Sequence, residues 1–142
     1  MNITFCGHRD YFYNSLLEDT LTNILNDFAQ NNQTVCCFNG GYGEFDRLAY
    51  RCTRRAKLSK SNIKNYLVIP YLLNKDIQCE HDEVIYPPLE NVPLKWAICH
   101  RNEWMVDNAD VLICYVGHDW GGAYRTLIYA KRKNKTIINL FK

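Results

Sequence analysis

The stretch Phe38-Asn-Gly-Gly-Tyr-Gly-Glu-Phe-Asp-Arg-Leu-Ala-Tyr50 places three of the chain's seven glycines within four residues. It follows the apolar run Thr34–Phe38. It precedes a helical pattern in which Phe45, Leu48, Ala49, Cys52 and Ala56 share one face. Strand, glycine turn and amphipathic helix in that order form the first half of a β–α–β unit.

The same order recurs on both sides. Asn2–Cys6 predicts a short buried strand, stopped by Gly7. Asn14 to Asn31 predicts a helix, with Leu17, Leu21, Ile24, Leu25 and Phe28 at helical spacing. Ile63–Pro70 predicts a third strand, ended by its proline. Lys95 to Asn108 predicts a helix, Asp110–Val116 a strand, Gly122 to about Lys133 a helix and Lys135–Phe141 a last strand. Residues 71–93 hold Pro87, Pro88 and Pro93 without a sustained period, and are expected to be an irregular insertion. The strands are continuous apolar runs, as in parallel sheets covered on both faces. The expected fold is α/β: a Rossmann-like three-layer sandwich with a mainly parallel sheet of about five strands, in one domain over residues 1–142.

In such sheets ligands bind beyond the carboxyl ends of the strands. Three predicted strand ends carry glycines with polar or aromatic residues. They are Gly7-His8-Arg9-Asp10, Asn39-Gly40-Gly41-Tyr42-Gly43-Glu44 and Gly117-His118-Asp119-Trp120-Gly121-Gly122. The helix-to-strand connections NNQT, SKSN, DNAD and KNK contain no glycine. If glycine served only for turning, both edges would share it. The asymmetry points to a site on one edge. A helix N-terminus presents unpaired N–H groups and a positive dipole end, and glycine lets a phosphate approach them. Gly43 and Gly122 each open a predicted helix.

Each candidate also has a plain structural role. Glu44 and Asp46 stand in a first helical turn, where carboxylates favour the dipole. Asp46 is expected to brace the loop through backbone N–H groups. Glu44 is left open between a ribose contact and a catalytic carboxylate. Arg9 could neutralise phosphate or make a surface ion pair. Arg101 and Asn102, in mid-helix, could face the site or solvent. Tyr42, His118 and Trp120 could contact a base or ribose, or cover the sheet end. From the insertion, Asp82 and Glu83 are further candidate catalytic acids.

Bulk properties narrow the classes. Net charge is +2 over 142 residues, too little to indicate nucleic acid, and the cations Arg51, Arg54, Arg55, Lys57 and Lys60 sit late in a helix, where the dipole favours them. Nucleic acid is therefore not an expected partner. Seven cysteines without a CxxC pair indicate a reduced, cytoplasmic protein. Cys79 with His81, and Cys99 with His100, lack usual zinc spacing, so neither metal nor cofactor is expected. No apolar run approaches the length of a membrane span, and the N-terminus lacks the pattern of a signal peptide.

At these residues the sequence resembles the SLOG superfamily, the Rossmann-like group that includes DprA and the LOG phosphoribohydrolases. It is most similar to the small stand-alone branch of YspA and YpsA. The opening TFCGHRD, the pattern Gly41-x-Gly43-x-x-Asp46-x-x-Ala49, and the stretch from Arg101 to Leu140 carry the likeness. The resemblance implies a nucleotide or nucleotide-derived ligand at the glycine loops, and a homo-oligomer. It does not carry the LOG activity over. Aligned on the LOG motif Pro-Gly-Gly-x-Gly-Thr-x-x-Glu, the proline becomes Asn39, the threonine Glu44 and the catalytic glutamate Arg47. The leading expectation is thus a binding protein that senses or sequesters such a ligand. The alternatives are an enzyme, hydrolase or transferase, that cleaves an N-glycosidic bond, and a DprA-like single-stranded DNA-binding module.

Overall fold

The computed structural model describes residues 1–72 and 81–141. In chain order the elements are β1 (Asn2–Gly7), α1 (Ser15–Asn31), β2 (Val35–Asn39), α2 (Glu44–Ser59), β3 (Ile63–Val68), β4 (Glu83–Ile85), α3 (Leu94–Asp107), β5 (Val111–Tyr115), α4 (Gly122–Arg132) and β6 (Thr136–Asn139). The six strands form one parallel sheet in the order β4-β3-β2-β1-β5-β6.

The expected sandwich is present, with one correction. The sheet has six strands, not about five, because β4 lies inside the segment expected to be irregular. Its three residues are too few to show a period. Asp82 pins them in place: its backbone N–H donates to the Asn65 carbonyl at 2.7 Å and its carboxylate accepts from the Asn65 N–H at 2.7 Å. Lys57 of α2 pairs with the same carboxylate.

Two helices cover each face. On one face Leu21 and Leu25 of α1 and Phe45, Leu48, Ala49, Cys52 and Ala56 of α2 bury Ile3, Phe5, Val35, Cys37, Ile63 and Ile113. Asn14 starts α1 by accepting the Leu17 N–H at 2.9 Å, an ordinary N-cap. On the other face Leu127 and Ala130 of α4, with Val106 of α3, pack on Cys6, Leu112, Cys114 and Val116. Met105 of α3 packs on Phe38 and Val68.

The topology fixes where a ligand can enter. From β1 the chain moves outward to β2, while β5, on the other side of β1, moves away to β6. The two loops leaving β1 and β5 therefore diverge, and open a crevice at the topological switch point. No helix among the described residues is long and apolar enough to cross a membrane.

Candidate functional site

A cavity of about 660 Å³ occupies that crevice, within the size range of small-molecule sites. Its walls bring together most of the residues singled out from the sequence: Gly7, His8 and Arg9 after β1, Tyr42 and Asp46 from the first glycine loop and α2, Arg101 and Asn102 of α3, and His118, Trp120, Gly121 and Gly122 after β5. Asn39, Gly40, Gly41, Gly43 and Glu44 do not line it. Gly41, Gly43 and Glu44 border a shallower neighbouring depression together with Arg9, Tyr42 and Arg47. Asp82 and Glu83 stand at the amino end of β4 and line neither.

The two glycine loops share one backbone geometry and differ in what fills them. Gly43 caps α2 with φ 97° and ψ 178°, and Gly121 caps α4 with φ 92° and ψ 177°, a region essentially confined to glycine. At Gly43 the space is taken by the chain itself. A Cβ there would meet Arg9 Cβ at 2.2 Å and Arg9 Cα at 2.8 Å. The Arg9 carbonyl already accepts the Glu44 N–H, the first amide of α2, at 2.9 Å. At α4 the space is open among the described residues: none of them lies within 4 Å of a Cβ built on Gly122, and of them only His118, with Cε1 at 3.8 Å, approaches one built on Gly121. No side chain caps α4, and its first turn carries no acid.

The acids behind the first loop are committed to structure. Asp46 accepts the Tyr42 N–H at 2.8 Å, which is the bracing role expected of it. It keeps part of its surface on the cavity, yet burial raises its carboxyl to about 6, against the opposing pull of the Tyr42 N–H and of Arg101. Glu44 turns outward and pairs with Arg47.

Arg101 is only 2% exposed. Its Nη1 donates to the Gly40 carbonyl at 2.8 Å and the Val68 carbonyl at 2.9 Å, and its Nε donates to Asn102 Oδ1 at 2.9 Å. It thus ties together the carboxyl ends of β2 and β3 beside the Asp46 carboxylate. Burial lowers its pKa and the Asp46 charge opposes that. Asn39 is buried too, and donates to Asn65 Oδ1 at 3.0 Å.

On the opposite wall three rings stack. His8 lies on His118 with centroids 3.8 Å apart and planes 17° apart, and His118 lies on Trp120 at 3.8 Å and 11°. His8 Nε2 accepts the Gly117 N–H at 2.9 Å, so in the neutral ring the proton sits on Nδ1. Burial, and then His118, lower the His8 pKa. Arg9 donates to the Tyr42 hydroxyl at 3.1 Å, with its guanidinium 5.5 Å from the ring centroid.

Sequence reasoning missed Tyr11, Tyr115 and Arg125, which also line the cavity. Tyr115 ends the β5 run and looks like any strand residue. Arg125 looks like an ordinary helix cation. Its proximity to Gly121 was the available signal.

The late cations of α2 are largely neutralised: Arg51 by Glu18 at 3.8 Å, Arg55 by Asp19 at 2.6 Å, and Lys57 by Asp82. Cys79, of the first zinc pair weighed, lies outside the described residues. Among those described, no group of three or more His, Cys, Asp or Glu is placed to hold a metal.

No protein-family model matches the chain. No curated protein sequence does either. Solved structures do resemble it. DNA processing protein A from Helicobacter pylori, studied for its single-stranded DNA binding mode, superposes with a TM-score of 0.67 at 14% identity, over 96% of this chain and 63% of that one. DNA processing protein A from Streptococcus pneumoniae gives 0.66 at 15% identity, over 96% of this chain and 48% of that one. The molybdenum cofactor binding protein from Rippkaea orientalis gives 0.63 at 17% identity, over 99% of this chain and 76% of that one. The chain thus spans less than two thirds of either DNA processing protein. At these identities the likeness is one of fold.

Proposed function

We propose that this chain, as one Rossmann-like domain, binds a nucleotide or nucleotide-derived ligand in the cavity at the β1–β5 switch point. The phosphate sits at the N-terminus of α4, against Gly121 and Gly122. The observation that carries this reading is the contrast between the two loops. Both have the backbone of an anion cradle, but Arg9 closes the first, and the second opens into the cavity. Free N–H groups at a helix start, with the dipole behind them, suit an anion. Arg9 and Arg125 on the same walls add positive charge.

Binding without turnover fits the acids better than catalysis does. Glu44 faces Arg47, Asp46 braces Tyr42, and Asp82 holds β4. The resemblance further suggests the YspA-like branch and a homo-oligomer, and the cysteine usage suggests the cytoplasm.

A second reading is a single-stranded DNA site. The expectation against nucleic acid rested on net charge, and the likeness to two DNA processing proteins gives it no support. Tyr11, Phe12, Tyr42 and Trp120 are exposed at this edge of the sheet, among Arg9, Arg47 and Arg125. Aromatic rings among cations are the usual surface for an unpaired strand.

Thermal denaturation with AMP, ADP, ADP-ribose, cyclic nucleotides and oligodeoxynucleotides separates these readings, with chromatography of the products. A nucleotide at a hundred times its Kd should stabilise by about 2.7 kcal/mol. Gly122→Asp should keep the fold, because an acid suits a first helical turn, and lose the ligand shift, because its carboxylate takes the anion's place. Release of base would convert the reading to an enzyme. Strongly salt-dependent binding of oligonucleotide alone would favour DNA. No shift with any of these nucleotides overturns the proposal.

A further inference from the structure

The stack of His8, His118 and Trp120 has two ends. At the inner end the edge of Tyr115 meets His8, with centroids 6.2 Å apart and planes at 90°. At the outer end nothing among the described residues stacks on the second face of Trp120, and the residue is 67% exposed. An exposed tryptophan ordinarily moves among rotamers. This one is held on its inner face by an imidazole that is itself backed by a second imidazole, and the Gly117 N–H fixes the innermost ring. The indole, which is among the residues lining the cavity, is therefore backed on its inner face, and a ring that joins its other face need order little else. Its neighbours in sequence, Gly121 and Gly122, begin the open helix start of α4.

We infer that Trp120 is the residue that recognises the base. A planar heteroaromatic ring, a nucleobase, extends the stack as its fourth member while the phosphate of the same ligand sits at α4. This rests on the phosphate reading above and adds the class of group at the other end. It makes the site selective for nucleotides over bare sugar phosphates, and for larger purine rings over pyrimidines, since a purine overlaps more of the indole. Base–aromatic stacking tolerates different bases, so Trp120 supplies class selectivity rather than recognition of one base.

The test compares AMP, ADP and ADP-ribose with ribose 5-phosphate by calorimetry and tryptophan fluorescence, in the full chain and in Trp120→Phe and Trp120→Ala. AMP, which carries the same single phosphate, should bind about 5- to 150-fold more tightly than ribose 5-phosphate, the span of a single stacking contact. Trp120→Ala should erase that advantage without changing the affinity for ribose 5-phosphate. Trp120→Phe should keep much of it while losing the fluorescence quench. Equal affinity for nucleotide and ribose 5-phosphate, or an advantage that survives in Trp120→Ala, overturns the inference and leaves the phosphate site standing. If none of the four ligands binds, the phosphate reading itself has failed, and this inference with it.

Discussion

Alanine at two glycines should have opposite effects, although both stand at a helix start. In Gly43→Ala the new methyl falls 2.2 Å from Arg9 Cβ and 2.8 Å from Arg9 Cα. The second contact is backbone, so no side-chain rotation relieves it. The backbone at φ 97° and ψ 178° is itself nearly closed to alanine, at a cost of about 1–3 kcal/mol. Forcing a methyl into a filled contact adds about 1–3 kcal/mol. The total of about 2–6 kcal/mol is a large part of a net stability near 0.05–0.15 kcal/mol per residue. At about 3 °C per kcal/mol for a chain of this size, the Tm should fall by about 6–18 °C.

Gly122→Ala meets none of the described residues within 4 Å and lies outside the left-handed region. Alanine also suits a helix better than glycine, by up to about 1 kcal/mol. Its Tm should match or slightly exceed that of the parent chain. Its methyl does project into the open mouth of α4, so the shift given by a phosphate-bearing ligand should shrink. Thermal and urea denaturation of both variants, with and without nucleotide, read all of this. Equal loss of stability in the two variants would refute the distinction between a filled and an open loop. A parent-like Tm for Gly43→Ala would show that Arg9 does not close the first loop.

Two further predictions concern the polar floor of the cavity. Arg101→Met removes the donor to the Gly40 and Val68 carbonyls and the cation beside Asp46. It should cost about 1–3 kcal/mol in urea denaturation for each carbonyl left buried without a donor. Arg101→Lys should recover only part, because an ammonium does not reproduce the planar fork. Asp46 has its folded pKa raised to about 6, from 3.8. The folded state therefore binds the proton more tightly than the unfolded one, and this contribution to stability is full below about pH 4 and lost as pH rises through about 6. Subtracting the pH profile of Asp46→Asn from that of the parent chain should leave a term that falls across this window, and a flat difference would show that the carboxyl is not shifted.

Much of the fold was legible because its elements carry strong local patterns. Five strands are continuous apolar runs between glycine, proline or polar turns, and α1 and α2 keep a clean apolar face. The strand β4 was not legible, because Glu83–Ile85 has no pattern of its own. It exists through Asp82, which reaches Asn65 and Lys57, residues distant in sequence. The orientation of Arg101 was hidden for a related reason. In α3 the apolar residues Trp96, Ile98, Trp104 and Met105 are spread around the helix, so no face declares itself as inward.

The site shows the same division between local and long-range information. The absence of glycine from the helix-to-strand connections pointed to the edge of the sheet that holds the cavity, because backbone geometry at a turn is a local demand that sequence records directly. Which glycine loop is open is not a local property. Gly43 and Gly121 have almost the same φ and ψ, so each needs glycine for the same reason, and the motif around Gly43 is the richer of the two. What separates them is a third loop: the turn after β1 lays the backbone of Arg9 over Gly43 and caps the first amide of α2. Among the described residues none does this for α4. A glycine pattern therefore reports that a loop can receive an anion or a neighbouring backbone equally well, and the tertiary fold decides which one occupies it. By that criterion the conspicuous stretch from Phe38 to Tyr50 helps to build the wall and floor of the cavity through Tyr42 and Asp46, and the sparser Gly121-Gly122 pair forms its mouth.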